Sequence, residues 1–362
     1  MLDREALLNQ LKRTFGNTVQ LVEIHQLAGD ASDRTYHRIA WEEREKRRSC
    51  ILMALAGSKS AMTSEEITGT AAESISELPF LNIQRHLFNC NIPVPEIYDY
   101  APGKGWLLLE DLGNATFADH IAEDPDNEDH LSDLYQQAID LLISIQLCAT
   151  SIPNEKTVAH TRRYDASLFQ WEFDHFIEYG IEKRNGAPLS PTHKKNLQSH
   201  FSGLSAHFAA LPKFFTHRDY HSRNLMVQSG GRGIRLRVID FQDALMGPAE
   251  YDLASLLRDS YIELPQGLID TLLHYYIRQW KARAHSALDF NLFKESFDLI
   301  SFQRNLKAAG RFVYIDQVKH KNHLLPFVTP TLLKAKHTLG QYGHLKPLYD
   351  LLAEVVPEFQ SP

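Results

Sequence analysis

The hydrophobic pattern changes its period along this chain of 362 residues, and that change constrains the fold. Around residues 20–56, the segments VQLVEI, TYHRIAW and CILMALA are rich in β-branched and aromatic residues, which is typical of strands. From Leu131 onward helical spacing dominates, interrupted by one β segment at 225–240. The pattern predicts an α+β chain with a small β-rich N-terminal lobe at 1–110 and a larger, mainly helical C-terminal lobe at 111–362.

Shorter signals place the remaining elements of the N-terminal lobe. The segment MLDREALLNQLKRTF has Leu7, Leu11 and Phe15 on one side and predicts an amphipathic helix. A second helix is predicted over PFLNIQRHLF, because Pro79 suits a first helical turn. IPVPEIYDY and GWLLLEDLG read as two further strands joined by a Pro-Gly turn, with a connector between the lobes near Glu110–Gly113.

Composition limits the classes of partner. With 38 basic and 45 acidic residues the formal charge is 38 − 45 = −7, which argues against a nucleic-acid binder. No apolar run reaches the roughly 18 residues that cross a bilayer, and the N-terminus lacks the apolar core of a signal peptide. Three scattered cysteines, Cys50, Cys90 and Cys148, indicate free thiols in a reducing compartment. We therefore expect a cytoplasmic monomer that binds a small molecule, without membrane or nucleic-acid partners.

The segment FFTHRDYHSRNLMV contains His217-Arg218-Asp219 followed by Asn224, which is the H-x-D-x-x-x-x-N spacing of a phosphotransfer catalytic loop. In such a loop Asp219 accepts the proton of an attacking hydroxyl. His217 is expected to be a buried scaffold residue bonded to backbone, and His221 a loop residue near the substrate. Asp252, in the first turn of a helix that begins near Pro248, is expected to anchor the loop backbone.

The context of the motif is a predicted β-hairpin, NLMVQSGGRGIRLRVIDFQD. Asn224 and Asp240 each lie eight residues from Arg232, in the middle of its Gly-rich turn. A register symmetric about Arg232 would make them opposite partners, with Cβ atoms about 5 Å apart. Carboxylate and amide oxygens are ligands that Mg²⁺ accepts, together with water and nucleotide phosphates, so the two residues are candidate metal ligands.

Two other interpretations remain open for this segment. His217, Asp219 and His221 have the i, i+2, i+4 spacing of a strand edge and could ligate zinc in a hydrolase. The apolar alternation of a strand is absent there, and the chain has no H-E-x-x-H, paired C-x-x-C, G-x-S-x-G or Walker motif. An ordinary charged loop is the second alternative, and the placement of Asn224 and Asp240 argues against it.

The nucleotide contacts expected from sequence lie in the N-terminal lobe. Gly29, Asp30 and Ser32 form a turn of small residues whose backbone N–H groups suit a polyphosphate. Backbone groups of Glu110 and Leu112 are candidates for adenine binding. The third strand has Met53 where a phosphate-binding lysine is expected, and Lys59 or Arg34 are possible substitutes. The missing lysine motivates an alternative, a kinase fold that binds a ligand without turnover.

Several segments together resemble the aminoglycoside phosphotransferase-like family of small-molecule kinases: HRDYHSRNLMV, VIDFQDALMGPAEYDLASLLRDSYI, GDASDRTYHRI, LLLEDLG and FQRNLKAAGRFVYID. The chain is most similar to the bacterial anomeric kinases for N-acetylmuramate and N-acetylglucosamine, which also carry methionine where Met53 stands. The resemblance implies a bilobal protein-kinase-like fold, ATP and Mg²⁺, with Asp219 as the base and Asn224 and Asp240 as metal ligands. Two departures are Ala54-Leu55-Ala56-Gly57, in place of an aspartate and prolines, and Gln303-Arg304-Asn305-Leu306-Lys307 in place of Q-R-H-L-K.

The expected reaction is transfer of the γ-phosphate of ATP to a small hydroxylated metabolite. The resemblance points to the anomeric hydroxyl of N-acetylmuramate or N-acetylglucosamine in cell-wall recycling. The alternatives are another small alcohol, of the aminoglycoside, choline or homoserine type, or binding without turnover. Candidate substrate contacts are Asp243, Arg258, Asp259 and Arg304, the last for the carboxylate of a muramate-like acceptor.

Overall fold

The computed structural model describes residues 2–27, 34–43, 46–55, 75–151, 157–230 and 233–360. By internal contacts the chain forms two compact units, Met1–Thr63 with Val94–Asn114, and Ser64–Pro93 with Ala115–Pro362. The domain limits expected from sequence, 1–110 and 111–362, remain a prediction. The helix that begins at Pro79 belongs, by its contacts, to the second unit.

The first unit is a five-stranded antiparallel sheet with one helix. Asp3 caps the helix by accepting the N–H of Ala6 at 3.1 Å, and Gly16 ends it with a left-handed φ of 109° that suits glycine. The strand order is β1-β2-β3-β5-β4. The elements are α1 (Arg4–Phe15), β1 (Gln20–Gln26), β2 (Thr35–Glu43), β3 (Lys46–Ala54), β4 (Ile97–Ala101) and β5 (Trp106–Glu110). Leu7 and Leu11 of α1 pack on the buried face of the sheet with Trp41, Leu52 and Leu108.

The second unit is mainly helical and contains two small antiparallel pairs of strands. Its elements, in chain order, are α2 (Pro79–Asn89), α3 (Phe117–Ile121), α4 (Glu128–Cys148), α5 (Val158–Thr161), α6 (Ala166–His175), a π-helix (Phe176–Lys183), α7 (Pro191–Ala210), β6 (Lys213–Thr216), a 3₁₀ turn (Ser222–Asn224), β7 (Leu225–Gly230), β8 (Gly233–Val238), β9 (Leu245–Pro248), α8 (Ala249–Leu257), α9 (Gln266–Ala284), α10 (Phe290–Lys319), a 3₁₀ turn (Leu325–Phe327), α11 (Val328–Gly340), a 3₁₀ turn (Gly343–Leu345), α12 (Lys346–Ala353) and α13 (Pro357–Gln360). Strand β6 pairs with β9, and β7 pairs with β8.

Helix α10 runs through the centre of the second unit. It is 30 residues long and buries side chains such as Phe297, Phe302 and Leu306. At Gly310 the helix approaches the π-helix so closely that an added Cβ would lie 3.0 Å from the Cα of Phe176. The small residue therefore permits a contact that fixes α10 against the segment following α6.

The structure confirms the predicted strands and helices and corrects the hairpin register. Leu225 pairs with Val238 and Gly230 with Gly233, so the ladder is centred between residues 231 and 232. The N–H of Ile239 donates to the carbonyl of Asn224 at 3.1 Å. Asn224 therefore faces Ile239, and the predicted pairing of Asn224 with Asp240 is wrong by one residue.

The structure also bears on two expectations from composition. Within the described ranges, no helix combines the length and apolar character needed to cross a bilayer. All three cysteines carry free thiols, and burial raises the pKa of the Cys50 thiol to about 12.

Candidate active site

The loop that carries the H-x-D-x-x-x-x-N motif begins where β6 ends. β6 pairs antiparallel with β9, with Thr216 opposite Leu245, so His217 leaves the sheet directly at the start of the loop. The loop returns through the 3₁₀ turn at Ser222–Asn224 into β7. Its two ends are thus held by the β6–β9 and β7–β8 pairs.

Asp252 anchors this loop from the first turn of α8, as the sequence predicted. Its buried carboxylate accepts the backbone N–H of His217 at 2.6 Å and that of Arg218 at 3.0 Å. Burial raises the pKa of Asp252 to about 6, against the opposing effects of His217 and of these hydrogen bonds. Two backbone donors that have left the sheet are therefore satisfied by one side chain.

His217 is a buried scaffold histidine, which also confirms the sequence prediction. Its Nε2 donates to the carbonyl of Ile239 at 2.9 Å, and its Nδ1 accepts the N–H of Asp219 at 3.3 Å. Burial lowers the pKa of His217, so the ring is neutral. Because both ring nitrogens are bonded to backbone, His217 has no lone pair for a metal, which argues against the zinc interpretation.

Arg218 adopts a left-handed backbone conformation, with φ of 78°. Such a conformation costs a residue with a side chain roughly 1–2 kcal/mol. Its guanidinium lies 3.4 Å from Glu172 and 5.6 Å from the ring centroid of Tyr164, and these contacts hold the residue in place with Asp252. The turn at Arg218 directly precedes the predicted base.

Asp219 is half-buried, and its carboxylate accepts no hydrogen bond from any residue that the structure describes. Burial alone would raise the pKa of Asp219, but nearby positive charges outweigh it and hold this pKa well below the usual range. The charges belong to Lys307, His221, Arg304 and Arg218. An ionised carboxylate without an internal partner can accept a proton from a substrate hydroxyl.

Asn224 and Asp240 provide oxygen atoms next to this loop. Asn224 donates through Nδ2 to the carbonyl of Asp219 at 2.9 Å, so its Oδ1 is left as the acceptor. Asp240 has a left-handed φ of 63°, and its Oδ1 accepts Nε2 of Gln242 at 3.0 Å. One amide oxygen and one carboxylate form a donor set that suits a hard divalent cation. Groups of three or more His, Cys, Asp or Glu side chains placed to hold a metal do not occur among the described residues.

A cluster of charged side chains, which the sequence analysis largely missed, lies beside Asp219. Glu172 of α6 is buried and accepts the hydroxyl of Tyr164 at 2.5 Å and Nε2 of Gln303 at 2.7 Å. Nζ of Lys307 is 3.2 Å from the same carboxylate. Burial would raise the pKa of Glu172, but the charges of Lys307 and Arg218 and these hydrogen bonds lower it. The helical spacing of Gln303 and Lys307 was the available signal, but it did not reveal Glu172 as their partner.

The other predicted substrate residues have different surroundings. Arg258 is buried and pairs with Asp298 at 2.5 Å, and it also donates to Thr338. Asp259 accepts the N–H of Ser222 at 3.0 Å and its hydroxyl at 2.5 Å. These contacts favour a structural role over substrate binding for both. Asp243 is half-buried and accepts Nε2 of Gln242 at 3.0 Å.

Arg304 of α10 lies over the ring of Tyr251, at 4.7 Å from its centroid, and donates through Nη2 to the hydroxyl of Ser255. Its positive charge lowers the pKa of Asp219. The residue predicted for an acceptor carboxylate is therefore near the candidate base.

The nucleotide contacts predicted for the first unit are only partly described. Gly29, Asp30 and Ser32, and also Lys59, lie outside the described residues. The N–H of Glu110 donates to the carbonyl of Glu96 at 2.9 Å, so this N–H is already bonded within the unit. The backbone N–H and C=O of Leu112 make no hydrogen bond within the described ranges.

A clamp missed by sequence analysis holds the segment 111–114. Arg38 of β2 pairs in bidentate fashion with Asp111, at 2.8 and 2.9 Å, and donates to the carbonyl of Gly113 at 2.9 Å. Met53 is fully buried between Tyr36 and Leu107 of the neighbouring strands. A buried methionine side chain therefore occupies the position on β3 where a phosphate-binding lysine was expected.

Comparison with solved structures identifies the fold class as that of the protein-kinase-like small-molecule kinases. The choline kinase LicA from Streptococcus pneumoniae aligns with a TM-score of 0.58 at 13% identity, over 94% of this chain and 99% of that one. ADP-bound aminoglycoside phosphotransferase APH(2'')-Ib aligns with a TM-score of 0.54 at 16% identity, over 93% of this chain and 99% of that one.

Sequence comparison then gives the family. The chain belongs to the phosphotransferase enzyme family, whose model matches residues 23–287. It is 31% identical over 290 residues to an N-acetylmuramate/N-acetylglucosamine kinase of Neisseria meningitidis, covering 78% of this chain and 81% of the relative. A kinase of the same name from Pseudomonas putida is 31% identical over 278 residues, covering 76% of this chain and 77% of the relative. The protein is a small-molecule kinase, and this family membership implies ATP and a divalent metal ion.

Proposed function

We propose that this kinase transfers the γ-phosphoryl group of ATP to the anomeric hydroxyl of an amino sugar, N-acetylmuramate or N-acetylglucosamine. The names of the relatives that match more than three quarters of the chain support the acceptor class. The role in cell-wall recycling follows from the same acceptors. Three free thiols support the proposal of a cytoplasmic location.

The observation that carries the proposal is the state of Asp219. Its carboxylate is ionised, half-buried and without a hydrogen-bond donor among the described residues, on a loop whose backbone Asp252 fixes. In the reaction the anomeric oxygen forms a bond to the γ-phosphorus, the bond to the β-phosphate oxygen breaks, and ADP leaves. Asp219 orients the hydroxyl and accepts its proton.

Asn224 and Asp240 are the residues that would hold Mg²⁺, through Oδ1 of Asn224 and the carboxylate of Asp240. The bound cation would neutralise charge on the nucleotide phosphates. Asn224 also donates to the carbonyl of Asp219, which couples the position of the metal ligand to that of the base. In the first unit, backbone groups of Glu110 and Leu112 are proposed to bind adenine.

The experiment is an ATP-consumption assay with N-acetylmuramate, N-acetylglucosamine, an aminoglycoside, choline and homoserine as acceptors. We expect turnover with the two amino sugars and a loss of kcat of about 10²–10⁴-fold in Asp219→Ala, the range for removal of a positioned base. Binding of Mg·ATP should change little. Asp133→Ala, which removes an exposed carboxylate from α4, is the control and should keep wild-type turnover.

Two results would count against the proposal. Turnover with choline, homoserine or the aminoglycoside alone would reassign the acceptor. Near-normal kcat in Asp219→Ala would exclude Asp219 as the base.

A further inference from the structure

Gln242 is a buried amide in the segment that links the β7–β8 hairpin to β9. Its Nε2 donates to Oδ1 of Asp240 at 3.0 Å and to Oδ2 of Asp243 at 3.0 Å. An ionised carboxylate only accepts hydrogen bonds, so these two neighbours fix the orientation of the amide, with its nitrogen toward both. The N–H groups of Gln242 are therefore used on two charged side chains of the candidate active site.

The other end of the same amide shows that Gln242 differs from a glutamine buried for packing. Its Oε1 is buried and accepts no hydrogen bond from any described residue. Gln146 of α4 is also buried, but both its ends are satisfied, since it donates to the carbonyl of Ala249 at 2.8 Å and accepts the hydroxyl of Tyr276 at 2.7 Å. A buried acceptor without a donor is unfavourable, so the contacts of Nε2 are what favour an amide at position 242.

Asp240 is the residue whose side chain this contact orders. It is exposed, and its backbone has a left-handed φ of 63°. An exposed carboxylate samples several rotamers, and a metal ion that binds it must select one of them against conformational entropy. The hydrogen bond from Gln242 holds Oδ1 in one place and so sets the direction of the carboxylate before an ion binds.

The backbone that carries Gln242 is itself fixed on both sides. Phe241 is fully buried, and its ring centroid lies 5.0 Å from that of Phe80 on α2. The carbonyl of Gln242 accepts Nη1 of Arg162 at 3.4 Å, and the N–H of Ala244 donates to the carbonyl of Phe241 at 3.1 Å. A donor on a fixed backbone can hold a flexible carboxylate in one orientation.

We propose that Gln242 is a positioning residue, which orients the carboxylate of Asp240 for the divalent metal ion of the kinase reaction. The inference rests on the metal-binding role that the proposed function gives to Asp240, and it adds a residue that acts through this ligand. Groups that hydrogen-bond a metal-binding carboxylate fix its orientation, and their removal typically weakens metal affinity about 10- to 100-fold.

The test measures metal binding without turnover. Mn²⁺, which accepts the same oxygen ligands as Mg²⁺, is titrated in the presence of ADP and followed by electron paramagnetic resonance in wild type and Gln242→Met. Methionine is similar in length and removes both N–H donors. We expect the Kd for Mn²⁺ to rise roughly 10- to 100-fold. In the kinase assay the Mg²⁺ concentration for half-maximal activity should rise similarly, while the KM for the amino sugar stays within about 3-fold.

Gln146→Met is the matched control, because it places the same substitution at a buried glutamine whose bonds are to Ala249 and Tyr276. It should leave the Kd for Mn²⁺ within about 2-fold, even where thermal unfolding shows a loss of stability. A second check combines Gln242→Met with Asp240→Asn. If Gln242 acts through Asp240, the double variant should bind Mn²⁺ about as weakly as Asp240→Asn alone. Additive losses of affinity would overturn the inference.

Further outcomes separate this inference from the proposed function. If Gln242→Met keeps the Kd for Mn²⁺ and raises the KM for the sugar, Gln242 acts through Asp243, and the inference is wrong while the sugar kinase stands. An equal loss of affinity in Gln146→Met would show a general effect of stability and overturn the inference as well. If wild type phosphorylates neither sugar but binds Mn²⁺ with ADP, the proposed acceptor is wrong, and the Kd values still decide the role of Gln242. Wild type that binds no Mn²⁺ with ADP would refute the metal role of Asp240 and the inference with it.

Discussion

The buried carboxylate of Glu172 lies beside the candidate catalytic loop, and its contacts set the cost in stability that we expect from its removal. It accepts from Tyr164 at 2.5 Å and Gln303 at 2.7 Å, and it faces the cations Lys307 at 3.2 Å and Arg218 at 3.4 Å. Glu172→Gln keeps the shape but removes the carboxylate that lies within 3.4 Å of both cations. Removing one partner of a buried ion pair costs about 3–5 kcal/mol, so we expect the free energy of unfolding to fall by that amount.

The assay is urea unfolding at pH 8 of wild type, Glu172→Gln, Lys307→Met and the double variant. Lys307→Met should cost less than Glu172→Gln, because Arg218, Tyr164 and Gln303 still satisfy the carboxylate. The double variant removes both charges, and we expect it to be more stable than the sum of the single losses predicts, by about 1–3 kcal/mol.

The pH dependence of the difference in free energy of unfolding between wild type and Glu172→Gln gives an independent check. The folded state lowers the pKa of Glu172, so its ionisation contributes stability above the unfolded pKa of about 4.3, and this contribution is lost as pH falls through the folded pKa. The gap between wild type and Glu172→Gln should therefore be largest above about pH 5 and should narrow in more acidic solution.

Glu182→Gln is the control for a pair closer to solvent. Lys194 lies 3.1 Å from Glu182 and keeps 40% of its side chain exposed, so this variant should lose less than about 1 kcal/mol. The reasoning is refuted if Glu172→Gln loses no more stability than Glu182→Gln. Additive effects of the Glu172 and Lys307 substitutions would refute it as well.

Two further substitutions test the loop and the metal ligands. Asp240→Asn should weaken Mg²⁺-dependent nucleotide binding about 10-fold or more, since a charged ligand is replaced by a neutral one; unchanged calorimetric titration of Mg·ATP would contradict this. Asp252→Asn leaves one backbone N–H of His217 or Arg218 without an acceptor, so kcat should fall about 10-fold while the KM for ATP stays within about 2-fold. An unchanged kcat would show that Asp252 is not needed to position the loop.

Local sequence patterns were sufficient to predict the loop that carries the H-x-D-x-x-x-x-N motif and the residues that anchor it. His217, Asp219 and Asn224 lie within eight residues, so a single loop is enough to bring their side chains close together. Asp252 was predicted to anchor the loop because a carboxylate in the first turn is stabilised by the helix N-terminus, and its hydrogen bonds to the loop confirm the anchor. The hairpin was predicted, but its register was wrong by one residue because the ladder ends at Gly230 and Gly233 and is not centred on Arg232.

The charged cluster could not be derived in the same way. Glu172 and Gln303 are 131 residues apart in sequence, and neither lies in a recognisable motif. A carboxylate in the middle of a helix usually faces solvent, so sequence gives no reason to bury Glu172. Arg258 was also predicted as a substrate contact. The structure shows it buried, paired with Asp298 and bonded to Thr338, and its part in substrate binding stays a prediction.

The sequence separations of these contacts also imply an order of assembly as the chain leaves the ribosome. Asp252 reaches the loop across 34 and 35 residues, so the backbone of the loop can be anchored once α8 has been synthesised. The bond between Glu172 and Gln303 requires α10, and contacts of such long range form late because loop closure must precede them. A nascent chain would thus have an anchored loop before Glu172 acquires Lys307 as its counter-ion. During this interval α6, which carries Glu172, would be accessible to chaperones and proteases.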